Sequence, residues 1–138
     1  MTIQIVPFQT ENLPAAADLL AERHRRERRS IPELPDRFED STVATRAIEA
    51  ALARDHARGY VALENERLIA YLIGDMVIDS VWGRSGWVRL PGCAYHPNAG
   101  VEAVRDLSCA VPAGSAMATT SRPGAFWPIR FGIIWMRL

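Results

Sequence analysis

The chain has 138 residues, a single-domain length, and 49% of them are hydrophobic, enough apolar surface to build a core. Sixteen acidic residues balance sixteen basic ones, all of them arginine, so the broad positive field that grips nucleic-acid phosphates is absent. Met1-Thr2-Ile3-Gln4 opens no secretory leader and no apolar stretch approaches a membrane span, so a soluble cytoplasmic protein without membrane or nucleic-acid partners is expected. Cys93 and Cys109 lack both a CxxC spacing and a histidine at ligand distance. No metal site and no disulfide framework are expected, and both read as small buried hydrophobes.

A first strand is predicted over residues 3–7, with Ile3 and Ile5 on one face. Asn12 then reads as an N-cap. Pro14 falls in the first helical turn, where its missing N–H costs nothing, and Leu13, Ala17, Leu20 and His24 recur at helical spacing through Arg29. Ile31-Pro32-Glu33-Leu34-Pro35 cannot continue the helix and is a linker or a lid. Asp40 or Ser41 caps a second helix with Ala44, Ile48 and Leu52 in one stripe, Ala47 and Ala51 beside it, and Gly59 as its stop.

The clearest hairpin pairs residues 60–63 with 68–73 across the polar turn Glu64-Asn65-Glu66-Arg67. Gly74 suggests a bulge before the strand carries on through residues 75–78. After a loop over 79–86, residues 87–95 form a third long strand, and Pro91-Gly92 inside it argues for a bulge or splay. His96-Pro97-Asn98-Ala99-Gly100 is a turn, and a helix follows from Val101 to about Ala110. From Leu107 onward there is no Asp, Glu, Lys or His, and Arg122, Arg130 and Arg137 are the only charges.

Three passages carry a family resemblance. They are Ile5-Val6-Pro7-Phe8 with Leu13 to His24, then Leu34-Pro35-Asp36-Arg37-Phe38-Glu39-Asp40, then Val61-Ala62-Leu63 with Leu68 to Gly74. Together with Val81-Trp82-Gly83-Arg84-Ser85-Gly86-Trp87-Val88, they resemble the N-terminal half of bacterial tandem-GNAT (GCN5-related N-acetyltransferase) proteins. The resemblance implies an α/β domain of the acyl-CoA N-acyltransferase type: a mixed, mostly antiparallel sheet flanked by helices, incomplete at the C-terminus. It divides the chain into a GNAT-like region, 1–107, and an atypical tail, 108–138, of truncated or frameshifted character, which completes the domain or is poorly ordered.

Acetyl-CoA is the cosubstrate that the resemblance implies, with a primary amine as acceptor. Catalytic members of the family follow this third strand with a loop of the type R/Q-x-x-G-x-G/A, whose backbone N–H groups wrap the pyrophosphate. Here that stretch is His96-Pro97-Asn98-Ala99-Gly100-Val101-Glu102, with one glycine and an acidic residue, a degenerate version. Tyr95 and His96, at the strand end, are the candidates for contact with the thioester, weighed against an ordinary core role. By position, Ala94, Tyr95 and Gly100 are the candidates for cofactor binding.

Asp75 and Asp79 could order a substrate amine, but strand-end and turn chemistry is the preferred reading. His24 and His56 read as structural, the arginine run 23–29 as a solvated helix face in preference to a grip on phosphate or an acidic partner, and the tryptophans as core or interface residues. Two functions follow from this. One is an acetyltransferase acting on an amine. The other is a non-catalytic domain that pairs with a second GNAT domain or with its own copy.

Overall fold

The computed structural model describes residues 2–81, 83–114 and 129–131. In chain order they form β1 (Ile3–Pro7), α1 (Leu13–Ser30), α2 (Ser41–Leu52), β2 (Arg58–Glu64), β3 (Arg67–Asp79), β4 (Gly83–Tyr95), α3 (Gly100–Gly114) and β5 (Ile129–Phe131). The sheet runs β1-β2-β3-β4-β5 in space as in sequence. Its first four strands are antiparallel, and β5 lies parallel to β4 with Arg130 opposite Trp87.

Helices cover both faces, and the strand pattern shows why. Residues 68–73 are all buried, since one face of the sheet meets α1 and α2 and the other meets α3. Val61, Tyr71, Ile73 and Ala94 pack with Ala16, Ala17, Leu20, Ala21 and Ile48 on the first side. Ala62, Ala70, Leu72 and Val88 pack with Ala103 and Leu107 on the second. The alternation is the period-two geometry of a strand, read out on two cores instead of one core and solvent.

The start of α2 follows the capping logic, whereas Asn12, read as the cap of α1, makes no cap bond to that helix and accepts the Gln9 N–H at 2.8 Å instead. Asp40 accepts a hydrogen bond from the Thr42 N–H at 2.7 Å, which satisfies one free donor of α2. That bond and the one beside it hold the Asp40 carboxyl below the usual value of 3.8. The cap's contribution is therefore present above the ordinary carboxylate pKa and is lost as the pH falls through the lowered one.

Several sequence expectations are corrected. α2 ends at Leu52, so Gly59 does not stop it but lies within β2. A Cβ there would come within 2.9 Å of Phe8 Cβ and 3.2 Å of Ile73 Cγ1, so glycine is what lets the strand and its neighbours close together. The loop over 79–86 is mostly strand, because β3 runs to Asp79 and β4 begins at Gly83. α3 continues to Gly114. Cys109 is exposed, two positions past the buried Leu107 and so turned away from the sheet, while Cys93 is half-buried. Trp82, Arg122, Trp127, Trp135 and Arg137 lie outside the described residues.

The turn between β2 and β3 is a two-residue loop in which Asn65 and Glu66 have φ of 49° and 64°. Both are left-handed, as this hairpin geometry requires, but glutamate has a Cβ that disfavours the conformation. Glu66→Gly is expected to raise stability by about 0.5–1 kcal/mol, seen as a higher melting temperature. A lower one would mean that the hairpin gains more from the chain stiffness of glutamate than it loses in strain.

Candidate functional site

The site is built around a break in the β3–β4 ladder. Leu72 pairs with Cys93 and Gly74 pairs with Val88, so Ile73 alone faces the four residues Arg89, Leu90, Pro91 and Gly92. The bulges expected at Gly74 and at Pro91-Gly92 are one irregularity, with the extra residues on β4. Proline explains the placement, because it has no N–H to give to a ladder. Gly92 explains the tightness: a Cβ there would lie 2.5 Å from the Ile73 carbonyl oxygen and 3.0 Å from that of Arg89.

Two side chains of β3, Tyr71 and Asp75, fix this bulge. The Tyr71 hydroxyl donates to the Pro91 carbonyl at 2.7 Å, and its ring meets Phe8 edge-on at 6.1 Å. Arg89 grips Asp75 with two hydrogen bonds of 3.1 Å, and Arg54, just beyond α2, adds a third of the same length. Asp75 is only 6% exposed, so it is a buried brace and not a free ligand for an amine. The side chain of Asp79 lies outside what the structure describes.

Burial pushes the Tyr71 phenol well above its ordinary value of 10.0, with the Arg23 charge opposing the shift. It therefore stays protonated and keeps donating to Pro91. Because the folded-state pKa is the higher one, its contribution to stability is intact below pH 10.0 and is lost as the pH rises above that. Tyr71→Phe is expected to cost about 1–2 kcal/mol at neutral pH, since it leaves a buried carbonyl unpaired, and to flatten the alkaline loss. Urea melts at neutral and alkaline pH check both parts, and an unchanged alkaline slope would contradict the second. Burial likewise raises the Cys93 thiol, so Cys93 is a poor nucleophile.

Beyond the bulge, the strand direction sets what faces outward. The His96 N–H donates to the Ile69 carbonyl at 2.7 Å, so His96 and Ala94 direct their backbone groups at β3. Cys93 and Tyr95 therefore present theirs to the opposite edge. Two arginines of α1 already reach it: Arg23 donates to the Cys93 carbonyl, and Arg26 donates to the Tyr95 carbonyl at 3.4 Å. Among the described residues, β5 pairs with β4 only over Gly86 to Val88.

The turn into α3 is partly self-satisfied. The His96 ring accepts the Asn98 N–H at 3.3 Å, and its carbonyl accepts the Ala99 N–H at 2.9 Å. Gly100 has φ 69° and ψ 170°, a region open to glycine alone, and no described residue lies within 4 Å of where its Cβ would be. Glu102 follows in the first turn of α3, paired with Arg105 at 3.0 Å.

The predicted site residues are thus brought together, with different roles. Tyr95 is 37% exposed at the edge and is not core. Ala94 is fully buried and turns its backbone inward, so Cys93 takes the edge position that the sequence reading gave to Ala94. His24 donates to the Pro35 carbonyl at 2.7 Å and packs edge-on to Phe38, a structural role. Arg28 donates to the Leu34 carbonyl at 2.9 Å, and Arg25 to that of Glu39 at 2.9 Å. The segment after α1 is therefore strapped down rather than a free lid, and the arginine run is largely engaged with the protein instead of solvated. Sequence reasoning singled out the run holding Arg23 and Arg26 but not their carbonyl partners, and it missed Cys93, because a helical repeat does not reveal which carbonyls its side chains will meet.

No family model and no curated protein matches the chain. Solved structures do. The chain is similar to an aminoglycoside N-acetyltransferase in complex with CoA, at 17% identity and TM-score 0.56, covering 88% of this chain and 78% of that one. A ribosomal-protein-alanine N-acetyltransferase from Brucella melitensis biovar Abortus matches at 20% identity and TM-score 0.52, over 83% of this chain and 72% of that one. A Clostridium acetobutylicum protein described as a predicted acetyltransferase, solved with acetyl-CoA, matches at 14% identity and TM-score 0.57, over 83% and 73%. At such identities the likeness speaks for architecture alone, and by architecture the chain has the GNAT acetyltransferase fold.

Proposed function

We propose that this domain binds acetyl-CoA along the outer edge of β4 and transfers the acetyl group to an amine. The observation that carries the reading is the pair of outward-facing backbones at Cys93 and Tyr95, set between a braced bulge and the start of α3. An extended amide-bearing arm can pair with such an edge as an added strand would. The open space over Gly100 then leaves room for the next part of the molecule.

In the transfer, the amine nitrogen attacks the thioester carbonyl carbon, the C–S bond breaks, the nitrogen gives up a proton to solvent, and the departing thiolate takes one. Tyr95, 37% exposed at the edge, and His96, which accepts the Asn98 N–H at Nδ1 and so carries its own proton on Nε2, are the two candidates to give that proton. Carbonyl polarisation falls to backbone N–H groups of the edge.

A second reading, a partner domain without catalysis, is favoured by three observations. Arg23 and Arg26 already sit on the edge carbonyls, His96 consumes two N–H groups of the turn, and Glu102, paired with Arg105, puts a carboxylate in the first turn of α3. Such a domain would pair with a second GNAT domain, as in a tandem protein, or with its own copy.

Calorimetric titration with acetyl-CoA, repeated with a desulfo analogue to exclude cysteine acylation, separates the two. Saturable binding of both is expected. A well-folded monomer or dimer that binds neither would leave the partner reading standing.

A further inference from the structure

We infer that Arg23 and Arg26 form an oxyanion-binding pair fitted to a diphosphate, which on the acetyl-CoA reading above is that of acetyl-CoA. The two residues lie on one side of α1, three positions apart, and reach carbonyls two residues apart on the same strand edge. Their charges are unevenly answered. Glu27 pairs with Arg23 at 3.2 Å, whereas among the described residues no carboxylate pairs with Arg26. Nη1 of Arg26 is buried without a hydrogen-bond partner, and the bond made by Nη2 is long. A desolvated, weakly held guanidinium is costly, and a turn of the side chain toward an oxyanion removes that cost.

Position narrows the ligand. Tyr95, which Arg26 touches, is followed directly by the turn whose Asn98 and Ala99 N–H groups His96 has taken. That turn has little left to offer a phosphate, and Glu102 opposes one. A guanidinium fork from the neighbouring helix supplies what is missing, since arginine meets phosphate oxygens two at a time. The binding charge has moved from a backbone loop to a helix side chain.

The test is calorimetry on the full chain and on Arg26→Gln, Arg26→Lys, Arg23→Gln and Arg29→Gln. The probes are acetyl-CoA, S-acetylpantetheine and inorganic pyrophosphate. Arg26→Gln is expected to weaken acetyl-CoA and pyrophosphate by roughly 10- to 100-fold without weakening S-acetylpantetheine, which has no phosphate. Arg23→Gln should act in the same direction. Arg26→Lys should retain part of the affinity, showing that charge and not the fold is being read, and Arg29→Gln should bind as the parent does.

Equal weakening of S-acetylpantetheine would overturn the inference, as would pyrophosphate binding indifferent to Arg26→Gln. If pyrophosphate binds through Arg26 while acetyl-CoA does not bind, the oxyanion pair holds and the acetyl-CoA reading falls. If neither binds, the pair itself is wrong.

Discussion

Asp75→Ala is expected to lower stability by about 2–3 kcal/mol, one of the two largest effects of a single substitution in this domain. The carboxylate is 6% exposed and is gripped by Arg89 and Arg54 through three hydrogen bonds of 3.1 Å. Removing it strands two cations that had been brought together to meet it. Breaking a fully buried pair costs about 3–5 kcal/mol, but the arginine side chains are 45% and 33% exposed and can turn partly to water. The loss should appear as a lower urea midpoint at unchanged slope. Asp75→Asn should fall between, because it keeps the shape and loses the charge. A loss under about 0.5 kcal/mol would place Asp75 among ordinary surface residues and remove the brace from the account of the bulge.

Gly92→Ala is expected to cost about 2–3 kcal/mol and to weaken acetyl-CoA binding beyond what stability alone explains. The new methyl would meet the Ile73 and Arg89 carbonyl oxygens at 2.5 and 3.0 Å. Both are backbone atoms, so no flexible side chain can swing away, and the bulge itself must move. Moving it shifts Cys93 and Tyr95, the edge on which the proposed ligand lies. Gly86→Ala is the control, since no described residue lies within 4 Å of its Cβ and β4 is regular there. Comparable losses at both positions would show that any side chain on β4 is harmful and that the bulge is not special.

Much of the architecture is legible in the sequence for identifiable reasons. Pro14 marks the first turn of α1, Asp40 the cap of α2, and Asn65 the hairpin, because each residue has few backbone conformations or one local bond to make. Pro91-Gly92 marks the bulge for the same reason. What the sequence does not disclose is long-range. Gly59 reads as a helix stop until Phe8 and Ile73 are seen to close on it. Arg23 and Arg26 read as part of a solvated run, although their partners lie 70 and 69 positions away. Ala94 and Cys93 differ only in strand phase, which the bond from His96 to Ile69 fixes and no composition reveals.

The identity of strand order and chain order has a consequence for how this protein is made. Each strand from β2 to β5 finds one neighbour already synthesised, so a chain leaving the ribosome adds its strands to one edge of the sheet. The β2–β3 and β3–β4 pairings are local hairpins, whereas β1 with β2 must wait for two helices to pass between them and β4 with β5 for α3. Assembly during translation can thus proceed outward from β1 strand by strand. Each step exposes a single growing edge, and α1 and α2 are already present to cover one side of it.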